Sequence, residues 1–381
     1  MTLPTLNLGP KLEPALLSGH PWVYRNHLPE HTLQSGDWVR LEAGRASAVG
    51  LYDEGGAIGV RLFSRDSVPD RAWLSARVRE ALALRELIAD DTDAYRLVYG
   101  EGDGLPGIVA DRYDRYVVVK TYAQSVETVL ADVVGALAKE LKLKGIVRRT
   151  AQGLEPLWGE LPPPEVTVRE NGLKFIANLY EGQKTGLFLD QRENRQTVRG
   201  MAAGKTVLNL FSYNGGFSVY ALAGGATFVQ SVDIAAAANR DAERNVAANG
   251  LDTDKHETVT ADVFDLVKNY ADAGKTFDLV VLDPPSLAKA KKSRYAALRA
   301  YGKLNALALR CVRPGGLLVS SSCTAQVSPT DFQEMLASSA REAGVFVQTI
   351  HEAGHALDHP VPLSFPEGRY LKFMVMRVLE K

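Results

Sequence analysis

Residues 207–223, VLNLFSYNGGFSVYALA, decide the fold class of this chain. The apolar run Val207–Phe211 predicts a strand, and the Ala- and Val-rich segment Phe217–Ala223 predicts a helix. Between them lies a polar turn that contains Gly215 and Gly216. A strand, a tight turn and a helix in this order are typical of the opening of a doubly wound α/β unit. Because glycine has no Cβ, we expect the backbone of the turn to approach a ligand closely.

The next predicted strand, Val229–Ile234, carries an acid near its end, Asp233. An acid in that position suits the two adjacent hydroxyl groups of a ribose. The turn and the acid together predict a nucleoside-containing cofactor. The dehydrogenase fingerprint G-x-G-x-x-G is absent, since the two glycines are adjacent, and this disfavours a nicotinamide cofactor.

Strands and helices alternate from about Lys174 onward, which predicts a mainly parallel sheet with helices on both faces. The predicted elements are Val207–Phe211, Phe217–Ala223, Phe228–Asp233, Ala235–Asn249, Glu257–Thr260, Phe277–Leu282, Tyr295–Cys311, Leu317–Ser321, Asp331–Ala343, Val345–Ile350 and Leu371–Arg377. The last two strands have no helix between them, so we expect them to pair antiparallel.

The chain has 381 residues, enough for two or three domains. Short alternating apolar segments predict a β-rich domain over residues 1–67, an α+β block follows over 68–175, and the doubly wound domain covers 176–381. No apolar run approaches the ~20 residues that span a bilayer. The N-terminus lacks the pattern of a secretory signal, and two cysteines are too few for a disulfide framework, so a cytoplasmic location is the default.

A net charge of −1 means that any affinity for nucleic acid must come from a local patch. One candidate is GHPWVYRNHL at residues 19–28, where Trp22 could stack on bases and Arg25 could meet a phosphate. In the alternative interpretation, Trp22 and Tyr24 fill the core of the small domain. A second candidate is a run of cations without an acid, which could neutralise a polyanionic substrate or form a solvated helix face: Lys289, Lys291, Lys292, Arg294, Arg299 and Lys303.

Two motifs are discounted. HEAGH at residues 351–355 matches a zinc-protease pattern that needs a helix, but here it follows a strand-like segment and contains Gly354, so we predict no metal. AGKT at residues 203–206 resembles the end of a phosphate-binding loop. Arg199 stands where that loop needs its first glycine, and the segment precedes a strand, so we predict no such loop.

The segment VVLDPPSLAK places Asp283-Pro284-Pro285 directly after an apolar strand. Two prolines hold the chain extended, and this presents the Asp283 carboxylate at the carboxyl end of the strand, where open α/β sheets place ligands. Cys323, in VSSSCTAQ, follows the next strand in the same way. A thiol there can be a nucleophile if nearby positive charge lowers its pKa, whereas Cys311 at a helix end is interpreted as structural.

Taken together, these motifs resemble those of the large-ribosomal-subunit (23S) RNA 5-methylcytosine methyltransferase I family, whose members use S-adenosylmethionine. The matching pieces keep their order over nearly the whole chain: GHPWVY, EGDGLPGIVAD, KTGLFLDQRENR, NLFSYNGGFSVYA, DLVVLDPPSLA, PGGLLVSSSCT and DHPVPLSFPEGRYLK. The resemblance implies an N-terminal PUA-like RNA-binding domain, a central α+β domain and a C-terminal class I methyltransferase domain.

The resemblance also implies a cofactor site. The methionine part of S-adenosylmethionine would be held by Asn209, Phe211, Ser212, Tyr213, Asn214, Gly215 and Gly216. Asp233 would bind the ribose, and Asp262 the adenine amino group. Asp190 and Arg192 would close the pocket, with Arg192 meeting the cofactor carboxylate.

For catalysis, the resemblance implies that Asp283 and Pro284 line the site and that the Cys323 thiolate attacks carbon 6 of a cytosine. The family shares the absence of a second cysteine at the Asp283 position. The base that removes the carbon 5 proton stays open between a water, Asp283 and a group near His359. The cytosine would be single-stranded or flipped out, and a homodimer is one alternative for the oligomeric state. Two other functions remain open: methylation of a base nitrogen, which also uses D-P-P, and a non-catalytic role as an RNA-binding assembly factor.

Overall fold

The computed structural model describes residues 3–287 and 294–379, which divide into two units. The N-terminal unit comprises Met1–Arg169, Ala177–Leu189 and Leu357–Gly368. The C-terminal unit comprises Glu170–Ile176, Asp190–Ala356 and Arg369–Lys381. The sequence did not predict that residues 357–368 would return to the N-terminal unit, and the division at 67/68 and 175/176 stays a prediction.

Two five-stranded sheets form most of the N-terminal unit. The first has the order β1-β3-β4-β5-β2 and the second the order β10-β9-β8-β7-β6. Their elements are β1 Thr5–Asn7, α1 Glu13–Ser18, β2 Trp22–Tyr24, β3 Trp38–Ala43, β4 Ala46–Tyr52, β5 Ile58–Ser64, α2 Arg71–Arg85, β6 Ala94–Tyr99, β7 Ile108–Tyr113, β8 Tyr116–Thr121, α3 Glu127–Glu140, β9 Gly145–Thr150 and β10 Gly153–Gly159. A short two-stranded sheet follows, made of β11 Glu165–Glu170 and β12 Leu173–Asn178.

Helix α2 shows how local sequence fixes an element of the second sheet's core. The Asp70 side chain caps the helix by accepting a hydrogen bond from the Trp73 amide at 2.7 Å. Leu74 and Val78, one turn apart, are buried and pack in the same core as Val129 and Val133 of α3.

The C-terminal unit is built on a seven-stranded sheet of order β15-β14-β13-β16-β17-β19-β18. Its elements are α4 Arg192–Met201, β13 Thr206–Leu210, α5 Gly216–Ala223, β14 Phe228–Asp233, α6 Ala236–Ala248, β15 His256–Thr260, α7 Val263–Asp272, β16 Phe277–Leu282, α8 Arg294–Arg310, β17 Val312–Ser322, α9 Pro329–Ala343, β18 Val347–Ala353 and β19 Lys372–Val378. The first five strands of this order pair in parallel, and β19 pairs antiparallel with both β17 and β18. The predicted doubly wound sheet with an antiparallel final pair is therefore present.

The central strands are apolar on both faces because helices cover both sides of the sheet. Leu208, Leu210, Val280 and Leu282 are fully buried in the main core of this unit. Within the described residues, no helix has the length and apolar character needed to cross a membrane.

The sequence prediction missed helices α4 and α7. Helix α4, RENRQTVRGM, offers little apolar periodicity, yet Arg192, Asn194 and Arg195 are buried along it. Their burial is tolerated because polar partners meet them inside the unit. Helix α7 begins after the N-cap residue Asp262, whose side chain accepts hydrogen bonds from the amides of Phe264 and Asp265.

A buried ion pair joins α4 to β11. The Arg195 guanidinium donates two hydrogen bonds to the Glu170 carboxylate, Nε to Oε1 at 2.8 Å and a terminal nitrogen to Oε2 at 2.6 Å. The Tyr220 hydroxyl donates to Oε1 at 3.0 Å. Burial lowers the pKa of Arg195, but the Glu170 charge more than offsets this and raises it overall. Arg195 therefore keeps its charge inside the protein.

We expect Glu170→Ala to destabilise the C-terminal unit by about 3–5 kcal/mol, because it leaves the Arg195 charge buried without a partner. The midpoint of urea unfolding, followed by circular dichroism, measures the loss. Asp241→Ala, which removes an exposed partner of Arg244, is the matched control and should leave the midpoint unchanged. Equal midpoints for Glu170→Ala and the native protein would contradict the assignment of a tight buried pair.

Candidate active site

The turn after β13 is strained, and Asp233 holds it in place. Phe211 and Tyr213 have φ values of 58° and 47°, in the left-handed region that costs a non-glycine residue about 1–2 kcal/mol. The Tyr213 amide donates to Asp233 Oδ2 at 2.9 Å, and the Ala235 amide donates to Oδ1 at 2.9 Å. Strain of this kind is usually maintained at functional sites by the surrounding hydrogen bonds. Asp233 thus connects the end of β14 to the glycine turn.

The two glycines serve the packing of the turn against protein. Gly215 has φ +76°, and a Cβ placed there would lie 2.7 Å from the Ala242 Cβ on α6. A Cβ on Gly216 would lie 3.1 Å from Arg195 Cδ. The structure shows a close approach of the turn to α6 and α4, and the expected close approach to a ligand stays a prediction. Both demands exclude a side chain at Gly215.

Polar atoms without protein partners are buried beside this turn. Asn209, 1% exposed, donates from Nδ2 to Ser218 Oγ at 2.8 Å, while its Oδ1 accepts no hydrogen bond. The Ser212 hydroxyl is also buried and makes no hydrogen bond to the protein. A buried polar group without a partner is costly, so these atoms fit a site that a polar ligand completes.

Asp262 ends the loop after β15 as the cap of α7. Its Oδ1 accepts from the Phe264 amide at 2.8 Å and from the Asp265 amide at 3.2 Å. Strand β15 lies beside β14, so Asp233, the last residue of β14, and Asp262, just after β15, lie at one edge of the sheet. Its side chain is fixed by the helix cap, and its role towards adenine stays a prediction.

The segment before α4 is anchored by its backbone and by Asp190. The Asp190 carbonyl accepts from the Ala356 amide at 3.0 Å, and its Oδ2 accepts from the Tyr370 hydroxyl at 2.6 Å. The predicted Arg192 side chain is fully buried and donates from Nε and a terminal nitrogen to Glu193 Oε1 at 3.1 and 2.9 Å.

Gln191 makes a contact that the sequence analysis missed. Its Nε2 donates to Asp283 Oδ2 at 3.0 Å, and its Oε1 accepts from Asn194 Nδ2 at 2.6 Å. Asn194 also donates to the Gly354 carbonyl at 3.0 Å. This bond holds the Asn194 amide in place and, through it, the Gln191 side chain. Gln191 therefore orients the Asp283 carboxylate. The available signal was its place inside the LDQREN motif, next to the two residues that were selected.

Asp283 and Cys323 follow neighbouring parallel strands. Leu282, the last residue of β16, pairs with Ser320 of β17, so Asp283 and Cys323 emerge at the same edge. Tyr301 of α8 is fully buried, and its hydroxyl accepts from the Leu287 amide at 3.1 Å. Burial raises the pKa of Tyr301, and negative charge on Cys323 and Asp283 raises it further. Tyr301 is thus within electrostatic reach of both predicted catalytic groups.

The two cysteines differ in environment. Cys323 is half-buried, whereas Cys311 lies fully inside the core, where burial raises its pKa to about 11. A thiol with such a pKa carries almost no thiolate near neutral pH. Only Cys323 has the exposure that a nucleophile needs.

Comparison with known proteins identifies the family. Residues 130–360 match the family of S-adenosylmethionine-dependent methyltransferases, and residues 6–65 match the PUA-like domain. The chain is 40% identical to a ribosomal RNA large subunit methyltransferase of Deinococcus radiodurans over 94% of each chain. It is 37% identical to ribosomal RNA large subunit methyltransferase I of Klebsiella pneumoniae, covering 99% of this chain and 98% of the relative. The chain belongs to this methyltransferase I family.

Solved structures agree with the assignment of a methyltransferase. One, a methyltransferase complexed with SAH, aligns with a TM-score of 0.90 and 27% identity over 99% of this chain and all of that chain. A second, described as a SAM-dependent methyltransferase from Streptococcus mutans, aligns with a TM-score of 0.87 and 26% identity over 99% of this chain. The predicted fold class and the predicted cofactor, S-adenosylmethionine, are confirmed.

In the PUA-like domain of this methyltransferase, the two predicted RNA-binding side chains have protein partners. Trp22 is half-buried, donates from Nε1 to Glu101 at 2.8 Å and packs its ring 4.5 Å from that of Phe365. Arg25 donates to the Tyr52 hydroxyl at 2.9 Å and to the Gly56 carbonyl at 3.0 Å, which fastens a turn. Glu101 and Phe365 lie outside residues 1–67, so these contacts differ from the alternative in which Trp22 fills the core of the small domain. RNA binding by Trp22 and Arg25 stays a prediction.

The basic run is only partly described. Lys289, Lys291 and Lys292 lie outside the described residues. Arg294 is the first residue of α8 and forms an ion pair with Asp331 of α9. Its contribution to RNA binding stays a prediction.

The HEAGH segment of this methyltransferase begins in strand β18, which extends to Ala353, so it does not form the helix that the zinc pattern requires. His355 Nε2 accepts a hydrogen bond from the Leu371 amide at 3.2 Å. In residues 3–287 and 294–379, no cluster of three or more His, Cys, Asp or Glu side chains is arranged to hold a metal ion.

We expect Gly215→Ala to weaken both folding and S-adenosylmethionine binding, because the new Cβ meets α6. Gly204→Ala is the matched control, since Gly204 also has a positive φ, +72°, but has no heavy atom within 4 Å of the added Cβ. The control should lose about 1–2 kcal/mol from backbone strain. The Gly215 variant should lose a further ~1–3 kcal/mol from overpacking. Urea unfolding and calorimetric titration with S-adenosylmethionine measure the two effects, and equal losses would contradict the packing argument.

Proposed function

We propose that this protein methylates carbon 5 of a specific cytosine in 23S ribosomal RNA through a covalent bond between Cys323 and carbon 6. The observation that carries the proposal is the position of Cys323, half-buried at the carboxyl end of β17 beside the strand that presents Asp283. The names of the relatives from D. radiodurans and K. pneumoniae support ribosomal RNA of the large subunit as the substrate. Such RNA is met in the cytoplasm, in keeping with the predicted location.

The chemistry requires a nucleophile because carbon 5 of cytosine is itself a weak one. When the Cys323 thiolate adds to carbon 6, the electron pair of the 5,6 double bond moves towards carbon 5 and the ring. S-Adenosylmethionine supplies the electrophilic methyl group that carbon 5 then accepts. Loss of the carbon 5 proton and departure of the thiolate restore the aromatic ring, and Cys323 is regenerated.

Asp283 is proposed to contact the cytosine ring. In its protonated form it would donate to ring nitrogen 3 and offset the charge that develops as the thiolate adds. Gln191 donates a hydrogen bond to Asp283 Oδ2 and so fixes the orientation of the carboxyl group. Orientation matters because a small misplacement of a reacting group can reduce a rate by about 100-fold.

The cofactor is proposed to lie over the glycine turn. Asn209 and Ser212 offer it the buried polar atoms that lack protein partners. Asp233 would bind the ribose, Asp262 the adenine, and Arg192 the carboxylate. The PUA-like domain and the basic run are proposed to hold the RNA, with the target cytosine out of its stack.

We expect Cys323→Ser to abolish methylation while calorimetric binding of S-adenosylmethionine is kept, because a serine hydroxyl is not ionised at neutral pH. The matched control is Cys311→Ala, which removes the buried thiol and should leave the reaction intact wherever the variant is folded. Full activity of the serine variant would contradict the covalent mechanism. It would favour the alternative, methylation of a base nitrogen beside Asp283-Pro284-Pro285.

Mass spectrometry of ribosomal RNA from cells with and without the gene tests the product directly. A 5-methylcytosine that disappears on deletion, and returns only with the native gene, is the expected result. A missing methylguanine or methyladenine would replace the proposal by the nitrogen alternative. Unchanged RNA, together with no binding of S-adenosylmethionine, would leave the role of an RNA-binding assembly factor.

We expect Gln191→Leu to lower kcat by up to about 100-fold with little change in S-adenosylmethionine binding, because Asp283 loses its orienting amide. Gln191→Glu removes the donor at almost constant volume and should be similarly impaired. Gln230→Leu, on β14, deletes a different amide and serves as the control. If the Gln191 variants kept the native kcat, Gln191 would have no role in orienting Asp283 for the reaction.

A further inference from the structure

Lys372 is a cation placed beside Cys323 by strand pairing. In the antiparallel ladder between β17 and β19, Lys372 lies directly opposite Ser322. Its Nζ donates to the carbonyl of Thr324, and to the carbonyl of Tyr370 at 2.8 Å. Cys323 stands between Ser322 and Thr324, so Lys372 contacts or pairs with the residues on both sides of it.

The ammonium group is buried with neutral acceptors. Lys372 is 6% exposed, and its hydrogen bonds go to carbonyl oxygens, which carry no net charge. A buried ammonium group is costly unless an opposite charge is close. Lys372 is the first residue of β19, KFMVMRV, and the buried residues that follow it in the strand are all apolar.

The electrostatics identify the opposite charge. Burial lowers the pKa of Lys372 to about 8, and negative charge on Cys323 and then on Asp331 opposes this fall. Asp331 is already committed, since it accepts hydrogen bonds from Ser328 and forms the ion pair with Arg294. The thiolate of Cys323 is therefore the partner that can compensate the buried ammonium group.

We propose that Lys372 is a positioning residue that stabilises the thiolate of Cys323 and so prepares it for attack. The inference rests on the proposed covalent mechanism. The thiol gives its proton to solvent, and the thiolate then donates its electron pair to carbon 6. When the carbon–sulfur bond breaks at the end of the reaction, the pair returns to sulfur and meets the same cation.

Other charged groups around the thiol do not perform this task. Asp283, after β16, is an acid and supplies no positive charge to the thiol. Tyr301 on α8 is neutral, since burial raises its pKa. Arg294 on α8 is paired with Asp331. Of the residues named here, Lys372 is the buried cation whose charge interacts with that of Cys323.

The test is the pH dependence of alkylation of Cys323 by iodoacetamide in the full-length protein, read by peptide mass spectrometry so that Cys311 is scored separately. In Lys372→Met the apparent pKa of Cys323 should rise by at least about one unit, which lowers its alkylation rate at neutral pH roughly tenfold. Arg377→Met is the matched control, because Arg377 is an exposed cation on the same strand. Its profile should equal that of the native protein.

Lys372→Arg provides a second variant that retains the charge. Its guanidinium does not lose its proton, so its alkylation profile should stay close to that of the native protein. If the methionine variant does not fold, Lys372→Gln removes the charge in its place and should show the same rise in the apparent pKa of Cys323. A folded Lys372→Met, or a Lys372→Gln, with the native alkylation profile would overturn the proposal.

Alkylation needs neither RNA nor methyl transfer. The result therefore stays separate from the proposed function, which fails only if Cys323→Ser remains active. If both proposals hold, methylation by Lys372→Met should fall at neutral pH and recover in part at higher pH, where the thiol ionises without help.

Discussion

The register of four parallel strands is the constraint on which the site depends. Leu210 of β13 pairs with Leu282 of β16, and Leu282 pairs with Ser320 of β17, so these strands end at one edge of the sheet. On the other side, Leu210 pairs with Val232 of β14. Backbone hydrogen bonds between fully buried strands leave no room for slippage, because a shift of one residue would turn every side chain to the opposite face. This register places four parts of the site at the same edge of the sheet: the glycine turn, Asp233, Asp283 and Cys323.

Much of this arrangement was predictable from the sequence, for a physical reason. Strands buried on both faces are rich in apolar residues, and VLNLF and FDLVVL stand out against the polar residues that follow them. The residue that ends each strand, or follows it directly, must lie at the sheet edge, so the positions of Asp233, Asp283 and Cys323 were predictable from the sequence. The final antiparallel pair followed from the absence of a helix before β19.

The parts that escaped prediction are those in which polar groups are buried. Helix α4 has few apolar residues, and its stability comes from partners such as Glu170 that lie elsewhere in the sequence. Gln191 matters because of a hydrogen bond to a residue about ninety positions away, which no local pattern reveals. Lys372 begins a largely apolar strand, and its pairing with β17 depends on residues far away in the sequence. The close approach of Gly215 to Ala242 is likewise not visible in a linear motif. Long-range polar contacts, unlike hydrophobic periodicity, leave no period in the sequence.

The chain passes between its two units five times, after residues 169, 176, 189, 356 and 368. Neither unit is therefore a continuous piece of the gene. Asp358 illustrates the consequence for biosynthesis: it receives hydrogen bonds from Arg85 and from the Arg96 amide, both translated more than two hundred residues earlier. The N-terminal unit must wait for the last part of the polypeptide before its own hydrogen bonding is complete. Premature termination anywhere before this segment would leave both units without residues that belong to them.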